Sequence, residues 1–159
     1  MSDSWESFAA ALQDESNALR QVNELAVRLT QALVYNDVAA ISSTERELDR
    51  ARATFVTLSG KRRGMQVRGF GKMTLRQVCA YAPRPLARTL NQRLAELAMG
   101  TINIKITNGN NKALIASGLS RLMKITAALQ KATSDQPGTY RRRGMIPPPT
   151  NSVLVSSKA

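Results

Sequence analysis

An all-α fold is predicted. It comprises an elongated antiparallel helical hairpin, a short helix and a long third helix, packed as a coiled-coil-like three-helix bundle with a disordered C-terminal tail. Three observations predict it. Apolar residues recur at alternating steps of three and four along most of the 159 residues, the heptad signature of packed helices. Aromatics make up only 4% of the chain against a hydrophobic fraction of 43%, so the core is aliphatic, which suits helices better than a β-sandwich. After Pro85 no proline appears until Pro137, so the strongest helix breaker is missing from some fifty consecutive residues.

The first helix begins near Asp3 or Ser4, either of which can cap a helix N-terminus. Its seam reads Trp5, Phe8, Leu12, Glu15, Leu19, Val22, Ala26, Leu29 and Leu33. Glu15 is the exception. It can pair with a cation on a facing helix or mark a point where the seam opens to water. The second is favoured, because glutamate is rarely buried unpaired. Asn36-Asp37 is a short break with good capping residues. The second helix is expected from Asp37 to about Lys61, with Val38, Ile41, Glu45, Leu48, Arg52, Phe55 and Leu58 on its seam. So short a break between two long helices makes them antiparallel.

Residues 60–72 hold four glycines and five cations and read as a flexible basic loop. Met73 to Tyr81 follow as a short helix capped by Thr74, with Leu75, Val78 and Cys79 facing inward. Ala82-Pro83-Arg84-Pro85 stops it, and Pro85 suits the first turn of the next helix. The third long helix is expected from Arg84 to about Thr133. Leu86, Leu90, Leu94, Leu97, Ile104, Ile115, Leu122, Ile125 and Leu129 form its stripe, interrupted by Thr101, Asn108 and Asn111. A strand competes locally. Thr101 to Thr107 alternates strictly and Asn108-Gly109 is a hairpin turn signal. The residues after it have helical spacing and offer no partner strand, which favours helix. A helical domain over residues 1–133 and a basic, proline-rich tail over residues 134–159 follow. No internal repeat is found.

Composition excludes several function classes. The chain has no histidine, which removes the commonest general base and metal ligand. Its one cysteine, Cys79, can form neither an intramolecular disulfide nor a zinc cluster. It is expected half-buried in a reducing compartment rather than as a nucleophile. No apolar run approaches the roughly 20 residues of a membrane span. The acidic start, Met1 to Glu6, is not a secretory signal. A soluble cytoplasmic protein is expected, with no enzymatic activity, no cofactor, no metal and no membrane insertion.

The net charge of +12 is unevenly placed: residues 60–93 carry nine basic and no acidic residues. Such density raises a nucleic-acid reading, in which Arg62, Arg63, Arg68 and Arg76 would neutralise phosphates. Phe70 is nearly the only aromatic there for base stacking, and no helix-turn-helix or RNA-binding pattern accompanies it. A solvated loop, or steering toward an acidic partner, is the favoured reading. A self-assembling coiled-coil scaffold is a further alternative, and the sequence leaves a homodimer open.

Several segments carry a family resemblance. They are Glu15, Ala18 and Leu19; Thr44-Glu45-Arg46 with Leu48; Thr74 to Val78; the run Asn108-Gly109-Asn110-Asn111-Lys112-Ala113-Leu114-Ile115; and Thr139-Tyr140 with Gly144. In order and spacing the chain resembles the FlgN-type flagellar export chaperones. It departs from them in the basic character of residues 60–72 and in the poor helix formers between Gly100 and Gly109.

The resemblance implies a binding protein. Such chaperones hold hook–filament junction (hook-associated) proteins in the cytoplasm and deliver them to the flagellar type III export gate. A client's amphipathic terminal helix would be covered in helix-in-groove mode. The candidate client-binding residues are Asn108, Asn111, Leu114, Ile115, Leu119, Leu122, Met123, Ile125 and Leu129. The competing reading packs the apolar ones on the hairpin, but the third helix is longer than either arm. Asn108 and Asn111 can bond a client backbone or set helix register, and register is favoured. Tyr140, Arg141, Arg142, Arg143 and Gly144 are the candidate export-gate motif, against a solvated tail without a partner.

Overall fold

The computed structural model describes residues 2–134, and these form four helices: α1 (Ser2–Val34), α2 (Val38–Phe70), α3 (Leu75–Ala80) and α4 (Arg84–Ser134). No strand occurs among the described residues, so the all-α prediction holds. No helix among them is long and apolar enough to cross a membrane. The described residues fall into two units, 2–120 and 121–134.

In the first unit, α1 and α2 form the antiparallel hairpin. The turn between them is a Schellman motif. Asp37 N–H donates to Ala32 O at 3.0 Å and Asn36 N–H to Leu33 O at 3.3 Å. Asn36 takes the left-handed conformation at φ 53°, which asparagine tolerates better than most residues. Asp37 then caps α2 by accepting from Ala40 N–H at 2.9 Å.

The expected loop at 60–72 is corrected: α2 continues as helix through Gly60, Gly64 and Gly69 to Phe70, and stops only at Gly71. Gly71 has φ 64°, a conformation suited to glycine. The helix persists because its last turns have partners. Phe70 lies 4.5 Å from Trp5 and 5.2 Å from Phe8 between ring centroids. Met65 and Phe70 pack on the core that contains Phe8 and Leu12. Tertiary packing thus overrides three poor helix formers.

Arg62 supplies a buried polar tie, and it corrects the expectation for Glu15. The seam of α1 does not open to water there. Glu15 is buried, and the Arg62 guanidinium grips it with two bonds, Nε to Oε2 at 2.7 Å and a terminal nitrogen to Oε1 at 3.1 Å. Arg62 also donates to Gln66 Oε1 at 2.7 Å, and Gln66 Nε2 donates to Met73 O at 2.6 Å. One network therefore joins α1, the end of α2 and the approach to α3.

The buried line of α2 also differs from the seam read in sequence. It runs through Thr44, Leu48, Ala51, Ser59 and Arg62, with Ile41 and Phe55 partly buried beside it. Glu45 and Arg52 stay exposed, since solvating a charge is cheaper than burying it. Small residues at 44, 51 and 59 let α1 come close.

Helix α3 has the capping box expected of Thr74: its hydroxyl accepts from Gln77 N–H and the Gln77 side chain accepts from Thr74 N–H. Val78 and Cys79 are fully buried. In α4, Leu90 and Leu97 are buried and Leu86, Leu94 and Ile104 partly buried against the α1 and α3 core. A second cluster, Val22, Leu25, Ala26, Leu29, Leu48 and Ala51, fills the rest of the hairpin. In the second unit, the last turns of α4 from Arg121 to Ser134 are exposed at every position.

Candidate functional site

Within the first unit α4 runs parallel to α1, and polar contacts fix the register. Ser16 Oγ donates to Glu96 Oε2 at 3.0 Å, Asn23 Nδ2 donates to Gly100 O at 3.0 Å, and Asn111 Nδ2 donates to Ala26 O at 3.1 Å. The Thr30 hydroxyl donates to Asn111 Oδ1 at 2.7 Å. Asn111 is only 4% exposed, so both ends of its amide are satisfied inside the bundle. Burying an amide this way fixes one alignment of two helices, because any slip leaves it unbonded.

Gly100 sits at a close approach of α4 to α1. A Cβ there would lie 2.8 Å from Leu19 Cδ2 and 3.1 Å from Leu19 Cγ. The glycine that looked like a poor helix former is thus a contact point, and its lack of a side chain is the reason α4 can lie against Leu19 and Asn23. The strand-like alternation at 101–107 has a similar resolution. At about 100° per residue, Ile104 points to the core while Ile102 and Ile106 share another face. Ile104 packs on both hydrophobic clusters, and Ile102 and Ile106 are more than half exposed.

Three of the predicted client-binding residues converge. Asn108, Asn111 and Ile115 line a groove of about 410 Å³ whose other walls include Leu29, Leu48 and Arg52. Asn108 is exposed there, and a terminal nitrogen of Arg52 reaches its Oδ1 at 3.5 Å, a long contact worth little. Leu114 is half-buried, and Leu119 is exposed. In the second unit Leu122, Met123, Ile125 and Leu129 are exposed, none below 56%. The predicted export-gate motif, Tyr140 to Gly144, lies outside the described residues.

Sequence reasoning missed one feature. A second groove follows the other edge of the α1–α4 contact, as two adjoining hollows of about 400 Å³ and 490 Å³ that share Asn23 and Asn103. Met99, Val27 and Ile106 line it and are all about half exposed or more. Asn23 Oδ1 is buried at its floor without a hydrogen-bond partner. Its Nδ2 already donates to Leu19 O and Gly100 O, so turning the amide over would face oxygen to oxygen. The spacing of Met99, Ile102 and Ile106, off the main stripe, was the available signal.

Electrostatics separates structural cations from free ones. Arg62 is consumed by Glu15, and Phe70 is held in the aromatic cluster. Lys61, Arg63, Arg68, Lys72, Arg76, Arg84 and Arg88 are exposed. Glu96 accepts from Arg93 at 2.6 Å, and this bond, with those from Ser16 and Gln92, holds its carboxyl below the usual range despite partial desolvation. Burial pushes the Cys79 thiol up, partly opposed by the Arg62 charge. A raised thiol is a poor nucleophile.

The arrangement offers apolar grooves in the first unit and an exposed apolar helix face in the second. No curated protein and no solved structure matches the chain. The model of one family, described as FlgN protein, matches residues 1–148, and the chain belongs to that family of flagellar chaperones.

Proposed function

We propose that this protein is a cytoplasmic chaperone of flagellar type III secretion that acts by binding rather than by catalysis. It covers amphipathic C-terminal segments of hook-associated junction proteins and delivers them to the export gate. The observation that carries this reading is the apolar face left open on α4. In the second unit Leu122, Ile125 and Leu129 recur at steps of three and four, and each is more than half exposed. A soluble protein rarely presents such a line without a use for it.

In the first unit, Leu119 and the groove residues Asn108 and Ile115 are further proposed client contacts. Asn111 contributes by holding α4 in register on α1, with both amide ends engaged there. Tyr140 to Gly144 are the proposed contact with the export gate. The test is a pull-down of the full chain with C-terminal segments of hook-associated proteins. A complex at micromolar concentration, lost in Leu122→Ala/Ile125→Ala/Leu129→Ala, is expected. No complex with any junction protein would sink the proposal.

A further inference from the structure

The charge around the open face of α4 specifies what covers it. Within residues 121–134 every position is exposed. Leu122, Ile125 and Leu129 fall at i, i+3 and i+7, so they share one face. The charged residues of this segment are Arg121, Lys124 and Lys131, with no aspartate or glutamate. Arg121 borders the apolar line, whereas Lys124 and Lys131 lie on the far side of the helix and add to the positive field of the segment rather than to its contacts. None of the three forms an ion pair among the described residues.

We infer that the occupant of this face is an amphipathic helix whose polar flanks are acidic. This rests on the reading of the face as a client site and adds the chemistry of the client. Two other occupants bring the wrong sign. A second copy of this face would bring up another segment with three cations and no acid, with an Arg121 beside the seam on each side. Residues 135–159 of this chain carry Arg141, Arg142, Arg143 and Lys158 against Asp135 alone, so they also bring positive charge. Like charges brought together across an interface are costly, whereas opposite ones speed encounter and fix the partner. Apolar contact along about two turns supplies the adhesion, and the cations select which helix receives it.

The test uses the full chain and two labelled helical peptides with the same leucine face, one with glutamate at its polar positions and the other with lysine. Fluorescence anisotropy reads binding at low and raised salt. The acidic peptide is expected to bind at least about tenfold more tightly than the basic one at low salt, the gap closing as salt rises. Arg121→Glu/Lys124→Glu/Lys131→Glu should invert the preference. All three sites are exposed, so far-ultraviolet circular dichroism should not change.

Equal binding of both peptides, or no inversion, would overturn the acidic-partner inference and leave the client face standing. If Leu122→Ala/Ile125→Ala/Leu129→Ala leaves acidic-peptide binding intact, the client face itself is refuted. Displacement of the acidic peptide by an oligonucleotide, at an affinity that the alanine variant does not change, would mean that charge alone binds and would overturn the inference. So would a dimer in sedimentation equilibrium that the alanine variant dissolves, since the occupant would then be a second copy.

Discussion

Glu15→Ala is expected to be among the most damaging single substitutions in the hairpin. In the folded protein the Arg62 side chain is 9% exposed and the Glu15 side chain 3%. Removing the carboxylate leaves a guanidinium inside the bundle with Gln66 Oε1 as its one remaining side-chain acceptor. Breaking one partner out of a buried pair costs about 3–5 kcal/mol, a large share of the roughly 5–15 kcal/mol that holds a domain together. The end of α2 should suffer first. Gly60, Gly64 and Gly69 each weigh about 1 kcal/mol against helix relative to alanine, so this segment depends on its tertiary ties.

Urea unfolding followed by circular dichroism gives the global loss, and limited trypsin digestion reports opening at Arg63 and Arg68. A double variant sharpens the argument. Glu15→Leu with Arg62→Met would complete the apolar seam and should be neutral or up to about 4 kcal/mol more stable than the natural pair. A loss below about 1 kcal/mol for Glu15→Ala, the scale of a surface ion pair, with unchanged cleavage at Arg63 and Arg68, would refute the structural role assigned to the pair.

Gly100→Ala should destabilise by about 1–3 kcal/mol in chemical denaturation despite alanine's better helix propensity, because its Cβ would press on the buried Leu19. Gly60→Ala is the control: a Cβ there meets nothing within 4 Å, so a gain of about 0.5–1 kcal/mol is expected. Asn111→Ala removes one of the two acceptors within reach of the Thr30 hydroxyl and the side-chain donor to Ala26 O and should cost about 1–3 kcal/mol, read as a lowered denaturant midpoint. Cys79, with its thiol raised by burial, should resist thiol reagents in the native state. The folded chain keeps that proton to higher pH than the unfolded chain. Stability should therefore be intact below the ordinary thiol range and fall as pH rises through the folded value, a slope absent in Cys79→Ala.

The helical seam of α1 was legible because it repeats. Phe8, Leu12, Leu19, Val22, Ala26 and Leu29 are all buried at the expected spacing. The short helix α3 was legible through Thr74 and Gln77, whose capping box is a local signal. The end of α2 was not, since local chemistry there argues for a loop and the decisive partners are distant in sequence. Arg62 reads as one cation among nine until Glu15 stands opposite it. The exception in one seam and the surplus charge in another segment explain each other only once both helices are in place. The apolar line through Leu122, Ile125 and Leu129 was legible as a stripe. The groove beside Asn23 was not, because it needs Gly100 to bring α4 onto α1.

The segment from Thr101 to Thr107 shows how one pattern can serve two structures. Alternation at 102, 104 and 106 satisfies a strand with one buried face, but it equally satisfies a helix with two apolar faces. Isoleucines two apart lie about 200° from each other on a helix, and isoleucines four apart lie nearly together. The strand reading requires a partner edge, and the described residues contain none. The helix reading requires a use for the outer pair, Ile102 and Ile106, beyond the core that Ile104 fills. Residues that are polar or small in between, Gly100, Asn103 and Thr107, face the α1 side of the helix and line the groove there. The composition that makes this stretch a poor helix in isolation is the composition that lets it touch α1 closely and leave apolar side chains outside. Its helicity is therefore a property of the bundle, and cutting α1 contacts at Leu19 or Asn23 should loosen residues 100–107 before it loosens the leucine-rich turns that precede them.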